Sequence, residues 1–255
     1  MLTFQKYLEE RLIIVNGGKR YGQIIWMAGG AGSGKGFVQK HFLEGDKFKT
    51  RDVDEYKRLF LKLNSLTGKY PELANLNLKN PDDVSTLHAF VKRMGVKDKS
   101  FDLLFSSGDK KSETLPNVIF DVTLKGVEDI YEVMPRLIEL GYKHEDFHIV
   151  WVLTPVKQAL ANNAKRERSV SPEILQGTHD LVAKTMEVLI SHPSEVVGPN
   201  GVDGSIFVVN GNPSATKFTK GTITDFEYIK VKSSGKAIDK DAVAKVKELI
   251  NKRHD

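Results

Sequence analysis

Residues 21–40 read YGQIIWMAGGAGSGKGFVQK, an apolar strand that runs into a glycine-rich turn and the start of a helix. Residues 23–28 are apolar enough for a buried strand, and Gly36, Phe37 and Val38 open the helix. Between them, Gly29-Gly30-Ala31-Gly32-Ser33-Gly34-Lys35 matches the first seven positions of G-x-x-x-x-G-K-[ST]. Chemistry explains that spacing. Glycines let successive backbone N–H groups turn inward around an anion, the helix N-terminus adds partial positive charge, and the lysine reaches the β- and γ-phosphates. A flexible hairpin with a neighbouring lysine would not need an apolar strand before it and a helix after it. A nucleoside triphosphate is therefore the expected ligand. Its binding loop is Gly29, Gly30, Ala31, Gly32, Ser33, Gly34, Lys35, Gly36 and Phe37.

The loop departs from the pattern at its end. The hydroxyl that usually follows the lysine and touches Mg²⁺ is replaced by Gly36. Adenylate kinases also place glycine there, in a G-K-G-T run, but here Phe37 stands in place of that threonine too. Mg²⁺ is then expected on the triphosphate, on waters and on a carboxylate from elsewhere, which suits an ion that dehydrates reluctantly. A loop that binds a nucleotide without catalysing is the alternative.

At 255 residues the chain has room for one substantial α/β domain with an inserted lobe. Its 38 Lys+Arg against 33 Asp+Glu give a net charge of +5, which fits anionic substrates without demanding nucleic acid. There is no cysteine, so a disulfide framework and a thiolate metal site are both excluded. Lys6, Glu9, Glu10 and Arg11 interrupt any apolar leader, and no run approaches the roughly 18 apolar residues of a membrane span. A soluble, cytoplasmic protein is expected.

Strand and helix signals alternate along the chain. Residues 1–16 carry apolar positions at helical spacing. A second strand is expected over 47–54, a third over 117–122 (NVIFDV), a fourth over 147–153 (FHIVWVL) and a fifth over 205–210, with an edge strand over 224–232. Helices are expected over 36–43, 55–63, 127–140, 157–168, 172–191 and 239–252. Residues 64–111 are polar, broken by Pro71 and Pro81, with one helix near 84–94, and read as an insertion that covers the acceptor. The expectation is a P-loop NTPase three-layer α/β sandwich. It has a mainly parallel five-stranded sheet, residues 64–111 as a helical inserted lobe and residues 233–255 carrying a C-terminal helix.

In such a sheet, ligands bind at the C-terminal ends of the strands. Asp52 and Asp54 end the second strand, and Asp121, Thr123 and Lys125 follow the third. Thr154 follows the fourth, ahead of a helix with Lys165, Arg166 and Arg168. Phosphoryl transfer needs a carboxylate to orient the nucleophile, one for the metal, and cations for the transferring group. Alternation on a strand turns only one of Asp52 and Asp54 to the site, and Asp54 is preferred as base. Asp121 sits after an apolar run, where it organises Mg²⁺. Val122 follows it in place of the glutamate with which ATP-driven motors activate water, which favours transfer to an acceptor over hydrolysis. There is no [NT]-K-x-D guanine motif. Each group also has a simpler reading: a helix or turn cap for Asp121, an acid at the N-terminus of the next helix for Asp52 and Asp54, a solvated helix face for the basic cluster, and surface or packing for His179.

Taken together, the loop, the Asp54 region, the segment from Asp121 to Lys125 and the segment from Arg168 to Asp180 resemble the zeta-toxin family of P-loop kinases. That family has an acid-x-Thr-Leu-Arg pattern where this chain has Asp121-Val122-Thr123-Leu124-Lys125. It has an Arg-x-x-Pro…His-Asp pattern where this chain has Arg168…Pro172…His179-Asp180. The resemblance covers residues 20–250 and implies ATP or GTP with Mg²⁺, Lys35, Asp54 and Asp121 in catalysis, and Arg166 and Arg168 over the phosphates. Asp52, Thr123 and Lys125 are the implied acceptor contacts. Gly36 for the usual hydroxyl, Lys125 for arginine and a shorter arginine-bearing lid are departures, and a lysine is a point charge where an arginine is a fork. Zeta-like kinases act on UDP-N-acetylglucosamine, and related P-loop kinases act on nucleotides, nucleosides, drugs and polynucleotide or modified-base hydroxyls. The expected acceptor is a hydroxyl-bearing nucleotide, nucleotide sugar or similar small molecule. A nucleic-acid acceptor is the alternative, motivated by Lys217, Lys220, Lys230, Lys232, Lys236, Lys245, Lys247 and Lys252.

Overall fold

The computed structural model describes residues 12–15, 21–43, 47–105, 115–166, 170–191, 196–219 and 222–255. Most of the expected helix over 1–16, the segment 106–111, Arg168 and Lys220 lie outside them. β1 (Ile24–Ala28) is buried along its whole length, as a strand covered on both faces must be. It pairs parallel with β3 (Val118–Asp121) and β4 (Phe147–Leu153). β2 (Lys49–Arg51) adds beyond β3 and β5 (Ile206–Asn210) beyond β4, again parallel. β6 (Thr216–Thr219) and β7 (Thr222–Phe226) pair with each other as a separate antiparallel hairpin, and β8 (Tyr228–Lys232) closes the main sheet antiparallel to β5. The order is β2-β3-β1-β4-β5-β8.

The sheet thus has the five parallel strands expected with β8 as the edge strand, and residues 224–232 are not one strand but parts of two. The chain changes partners at Glu227. Its carbonyl accepts from Asn210 N–H at 3.0 Å and its carboxylate from Asn210 Nδ2 at 2.7 Å, so β7 ends on the hairpin and β8 begins on β5.

α1 (Lys35–Phe42) follows the glycine-rich loop. α2 (Val53–Thr67), α3 (Pro81–Arg93) and α4 (Val96–Phe105) lie between β2 and β3. α5 (Glu128–Tyr131) and α6 (Met134–Glu139) replace the single helix expected over 127–140, with Pro135 in the first turn of α6, where a missing N–H is tolerated. α7 (Val156–Ala164) stops short of the expected 168, α8 (Pro172–Ser191) is as expected, and α9 (Lys240–Asn251) ends the chain's described helices. Among the described residues no helix is long and apolar enough to cross a membrane.

Alternation along β1 sends Ile24, Trp26 and Ala28 into one core and Ile25 and Met27 into another. A third, smaller core belongs to the lobe: Leu73, Leu87, Phe90, Val91 and Val96 are buried with Tyr56, Phe60 and Tyr70 packed against them. The rings of Phe60, Tyr70 and Phe90 meet edge-on at 5.0 to 5.8 Å. The stretch read as polar with one helix therefore carries two, and it packs on α2. Leu87, Phe90 and Val91 are spaced for one buried helix face inside an otherwise charged sequence.

Candidate active site

The C-terminal ends of β1, β3 and β5, with the turns after them, open onto one cavity of about 1030 Å³. The loop after β1 reaches it already shaped. His179 Nε2 on α8 donates to the Ala31 carbonyl at 2.9 Å, Asn162 Nδ2 on α7 to the Gly32 carbonyl at 2.8 Å, and Thr154 Oγ1 to the Ser33 carbonyl at 2.7 Å. Three successive carbonyls are thus tied to the protein. The amides of Gly30, Ala31, Gly32 and Gly34 donate to nothing among the described residues, so they remain free for an anion. Glycine is required for the fit. Gly32 has φ +73° and an added Cβ would lie 2.2 Å from the Ala159 carbonyl oxygen; at Gly30 it would lie 2.4 Å from the His179 ring. Burial and the Lys35 charge hold the His179 imidazole below its ordinary range. As a neutral ring with Nε2–H donating, it accepts at Nδ1.

Lys35 begins α1 after Gly34, which sits in the left-handed region at φ +93°. Its Nζ donates to the Gly29 carbonyl at 2.6 Å and lies 3.5 Å from Asp121 Oδ1. Burial pushes the Asp121 carboxyl above the usual range, Lys35 opposes the shift, and Asp52 and Asp54 add to it. Beyond Asp121 the chain makes a strained turn. Leu124 is fully buried at φ +55°, a conformation that costs a branched residue about 1 kcal/mol or more. Thr123 O accepts from Gly29 N–H at 3.1 Å and Lys125 O from Thr185 Oγ1 at 2.9 Å. The turn is locked to the loop on one side and to α8 on the other, and Thr123 and Lys125 both line the cavity.

The second strand ends sooner than expected, which corrects the alternation argument. Asp52 is the N-cap of α2, its Oδ1 accepting from Asp54 N–H at 2.8 Å, and Asp54 lies in the first helical turn. Both line the cavity. Asp52 is occupied by the cap and by Arg58, 3.9 Å from its other oxygen, whereas Asp54 faces the cavity with 40% of its side chain exposed and Lys57 Nζ 2.8 Å from Oδ1. Arg166, just past α7, also lines the cavity. Gly29 takes part through its backbone, and Arg168 lies outside the described residues.

Several neighbours of the site were not singled out as functional in the sequence. Asn162 is one asparagine among several polar residues on a helix, and nothing in its spacing marks it. His179, read as packing, is buried against the loop itself. Lys57 and His88 also line the cavity, with the His88 imidazole lowered by desolvation and by the Lys57 charge. Lys232, taken with the basic C-terminal residues, is buried beneath the sheet edge and paired with Asp203 at 2.8 Å, so it adds nothing to a surface.

The donor set fits Mg²⁺ carried by phosphates. Asp121 beside Lys35 supplies one carboxylate at the loop, and no cluster of three metal-binding side chains occurs among the described residues. An ion that keeps several waters and uses one or two carboxylates needs no more.

No family model and no curated protein matches the sequence. Solved structures do. One is the AvrRxo1-ORF1:-ORF2 structure with ATP, at 14% identity and TM-score 0.51, covering 99% of this chain and 68% of that one. The AvrRxo1-ORF1:AvrRxo1-ORF2 structure with sulphate ions matches at 13% and TM-score 0.50, and this chain spans 64% of its length while 91% of this chain is covered. The PezAT chromosomal toxin–antitoxin system of the human pathogen Streptococcus pneumoniae is a further match, at 15% identity and TM-score 0.46, over 92% of this chain and 85% of that one. The chain has a P-loop α/β fold shared with the AvrRxo1-ORF1:-ORF2 structures. At these identities the likeness is one of fold, in agreement with the sheet order and with the loop between β1 and α1.

Proposed function

We propose that the protein is a kinase that transfers the γ-phosphoryl group of ATP or GTP to a hydroxyl of a nucleotide, nucleotide sugar or similar small acceptor. One observation carries the reading: a single cavity holds both the free loop amides with Lys35 and Asp121, and Asp54 across from them. An ATP complex of the same fold supports the choice of donor. Lys35 exchanges its contact with the Gly29 carbonyl for the β- and γ-phosphate oxygens. Asp54 takes the acceptor hydroxyl proton as the new O–P bond forms and the bond to the β-phosphate oxygen breaks, and Lys57 holds its carboxylate in place. Arg166 and Arg168 neutralise the transferring group. When bound at Asp121, Mg²⁺ would spread the charge that develops on the phosphates. Residues 64–111 are proposed as the acceptor lobe within a single kinase domain.

The test is a screen of nucleotides, nucleotide sugars, nucleosides and DNA with γ-labelled ATP and Mg²⁺. A labelled product that the Lys35→Ala variant fails to make supports the reading. Unchanged turnover in that variant sinks it, and tight ATP binding with neither product nor hydrolysis replaces it with a binding module.

A further inference from the structure

The glycine-rich loop is moulded against two helices. Its Gly32 faces the Ala159 carbonyl of α7 and its Gly30 faces the His179 ring of α8, each so closely that a Cβ would collide. Any shift of one helix against the other therefore reaches the loop. Beside the loop the two are joined by the apolar side chains of Val156, Ala159 and Leu175. Asn163 of α7 adds two bonds to the Val170 backbone, Nδ2 donating to its carbonyl at 2.8 Å and Oδ1 accepting from its N–H at 3.2 Å.

A further tie comes from outside the cavity. Arg253, in the turn after α9, meets three helices at once. Its backbone carbonyl accepts from Val156 N–H at 2.8 Å, one of the amides that the first turn of α7 leaves without a helical partner. Its Nε and Nη2 donate to Asp180 Oδ1 on α8 at 3.1 and 3.0 Å, and its Nη1 donates to the Ile250 carbonyl of α9 at 2.8 Å. His254 Nε2 lies 3.0 Å from the same Asp180 oxygen. The Arg253 side chain is only 21% exposed, so this charge-assisted contact is partly withdrawn from water. Both anchor points adjoin residues that shape the loop: Val156 comes two residues after Thr154, and Asp180 directly follows His179. Neither Asp180 nor Arg253 lines the cavity.

We propose that Arg253 is a positioning residue for the phosphate loop, its guanidinium holding α8 at Asp180 so that His179 stays on the Ala31 carbonyl. The inference rests on the kinase reading for the ligand that the loop holds, and adds a residue that acts on that ligand without touching it. The turn after α9 is itself fixed to the start of α7, so the clamp sets α8 against the helix that carries Asn162. Removing the guanidinium leaves the Val156 contact intact, because that contact is made by the backbone, and frees α8 alone.

Calorimetric titration with ATP and with inorganic tripolyphosphate, without an acceptor, tests the clamp. Arg253→Ala should weaken both ligands about fivefold and in parallel, since the loop itself is what changes. Arg253→Lys keeps the charge and one donor toward Asp180 and should recover part of the loss. The signature of action through His179 is non-additivity: Arg253→Ala combined with His179→Ala should bind ATP no more weakly than His179→Ala by itself. Losses that multiply in the double variant overturn the proposal, as does unchanged ATP affinity in Arg253→Ala with only a lower melting temperature. If Arg253→Ala does not fold, Asp180→Asn carries the same comparison: a loss that His179→Ala absorbs supports the clamp, and unchanged or multiplying affinity overturns it. Wild type that binds neither ligand overturns the kinase reading instead, whereas ATP bound equally by wild type and variants overturns the clamp alone.

Discussion

The two walls of the cavity are built differently. On the loop wall, Thr154, Asn162 and His179 reach in from one strand end and two helices and fix three neighbouring carbonyls at 2.7 to 2.9 Å, with Thr154 and His179 buried. On the lobe wall, α3 packs on α2 through a small aromatic core. α4 is anchored in the body by Phe101 and Phe105 in the main core and by buried Arg51, whose Nε donates to Ser100 Oγ at 3.0 Å, with ion pairs added at the surface. Arg136 on α6 reaches Asp98 and Asp102 on α4 at 3.1 and 2.6 Å and lies 3.9 Å over the Phe101 ring, and Lys97 pairs with Glu132. Buried bonds to backbone carbonyls cost about 1–3 kcal/mol to leave unmade, whereas exposed pairs contribute about 0–1 kcal/mol. Phosphates are the same in every nucleotide, and a fixed wall suits them. If residues 64–111 close on an acceptor, the movement falls to α2 and α3, which bring Lys57 and His88 to the cavity on a small core of their own, since α4 is anchored.

That contrast is broken most severely by Asp54→Asn. If Asp54 belongs to the acceptor wall alone, turnover falls about 10²- to 10⁴-fold while ATP affinity is kept. A matching loss of ATP affinity, measured by titration, would merge the two walls. Asp121→Asn should also remove turnover, and the pH profile carries a sign. With its carboxyl raised by burial, Asp121 of the free protein takes up a proton at higher pH than an ordinary aspartate, so the acid limb of kcat/KM begins above the normal carboxylate range. The folded state then holds more protons than the unfolded one in that window, and stability falls as pH rises through it. Asp121→Asn should therefore melt no lower than wild type at neutral pH, read by calorimetry.

His179 and Asn162 sharpen the comparison at intermediate size. Removing either side chain leaves a loop carbonyl without its donor, so His179→Ala and Asn162→Ala should raise the KM for ATP about tenfold, with the acceptor KM unchanged. His179→Gln, which returns a donor at a similar reach, should recover part of the loss. His179 has a lowered pKa, so the unfolded state binds more protons below about pH 6.5 and stability is lost on acidification through that window. Thermal melts of His179→Gln should be flatter than wild type there. The smallest effect is expected from Arg136→Ala on α6, which pairs with α4 of the lobe: a loss of about 1 kcal/mol or less in stability and a change in acceptor KM without one in the KM for ATP. A change in the KM for ATP instead would show that the lobe braces the loop.

The loop wall was legible in the sequence because its parts are contiguous. Residues 24–42 carry strand, turn and helix in one run, and the apolar stretches 118–121 and 147–153 mark the strands on either side. Its braces were not, since Asn162 and His179 lie far along the chain and act through single side chains with no repeat or spacing. Asp52 and Asp54 were legible as residues but not in posture, because an N-cap and the end of a strand look alike when acids precede a helix. The hairpin of β6 and β7 escaped notice for a similar reason. Residues 222–232 are rich in β-formers throughout, and only the Glu227 contacts with Asn210 divide them between two sheets.

In the proposed reaction the two walls face each other to pass a phosphoryl group between bound molecules. Following label from γ-labelled ATP into an organic acceptor, with wild type beside Asp54→Asn and Lys35→Ala, tests it most directly. A labelled ester is expected from wild type, none from Lys35→Ala, and none from Asp54→Asn despite full ATP binding. Label that stays in ATP with wild type, or that reaches the acceptor equally with all three proteins, would contradict it.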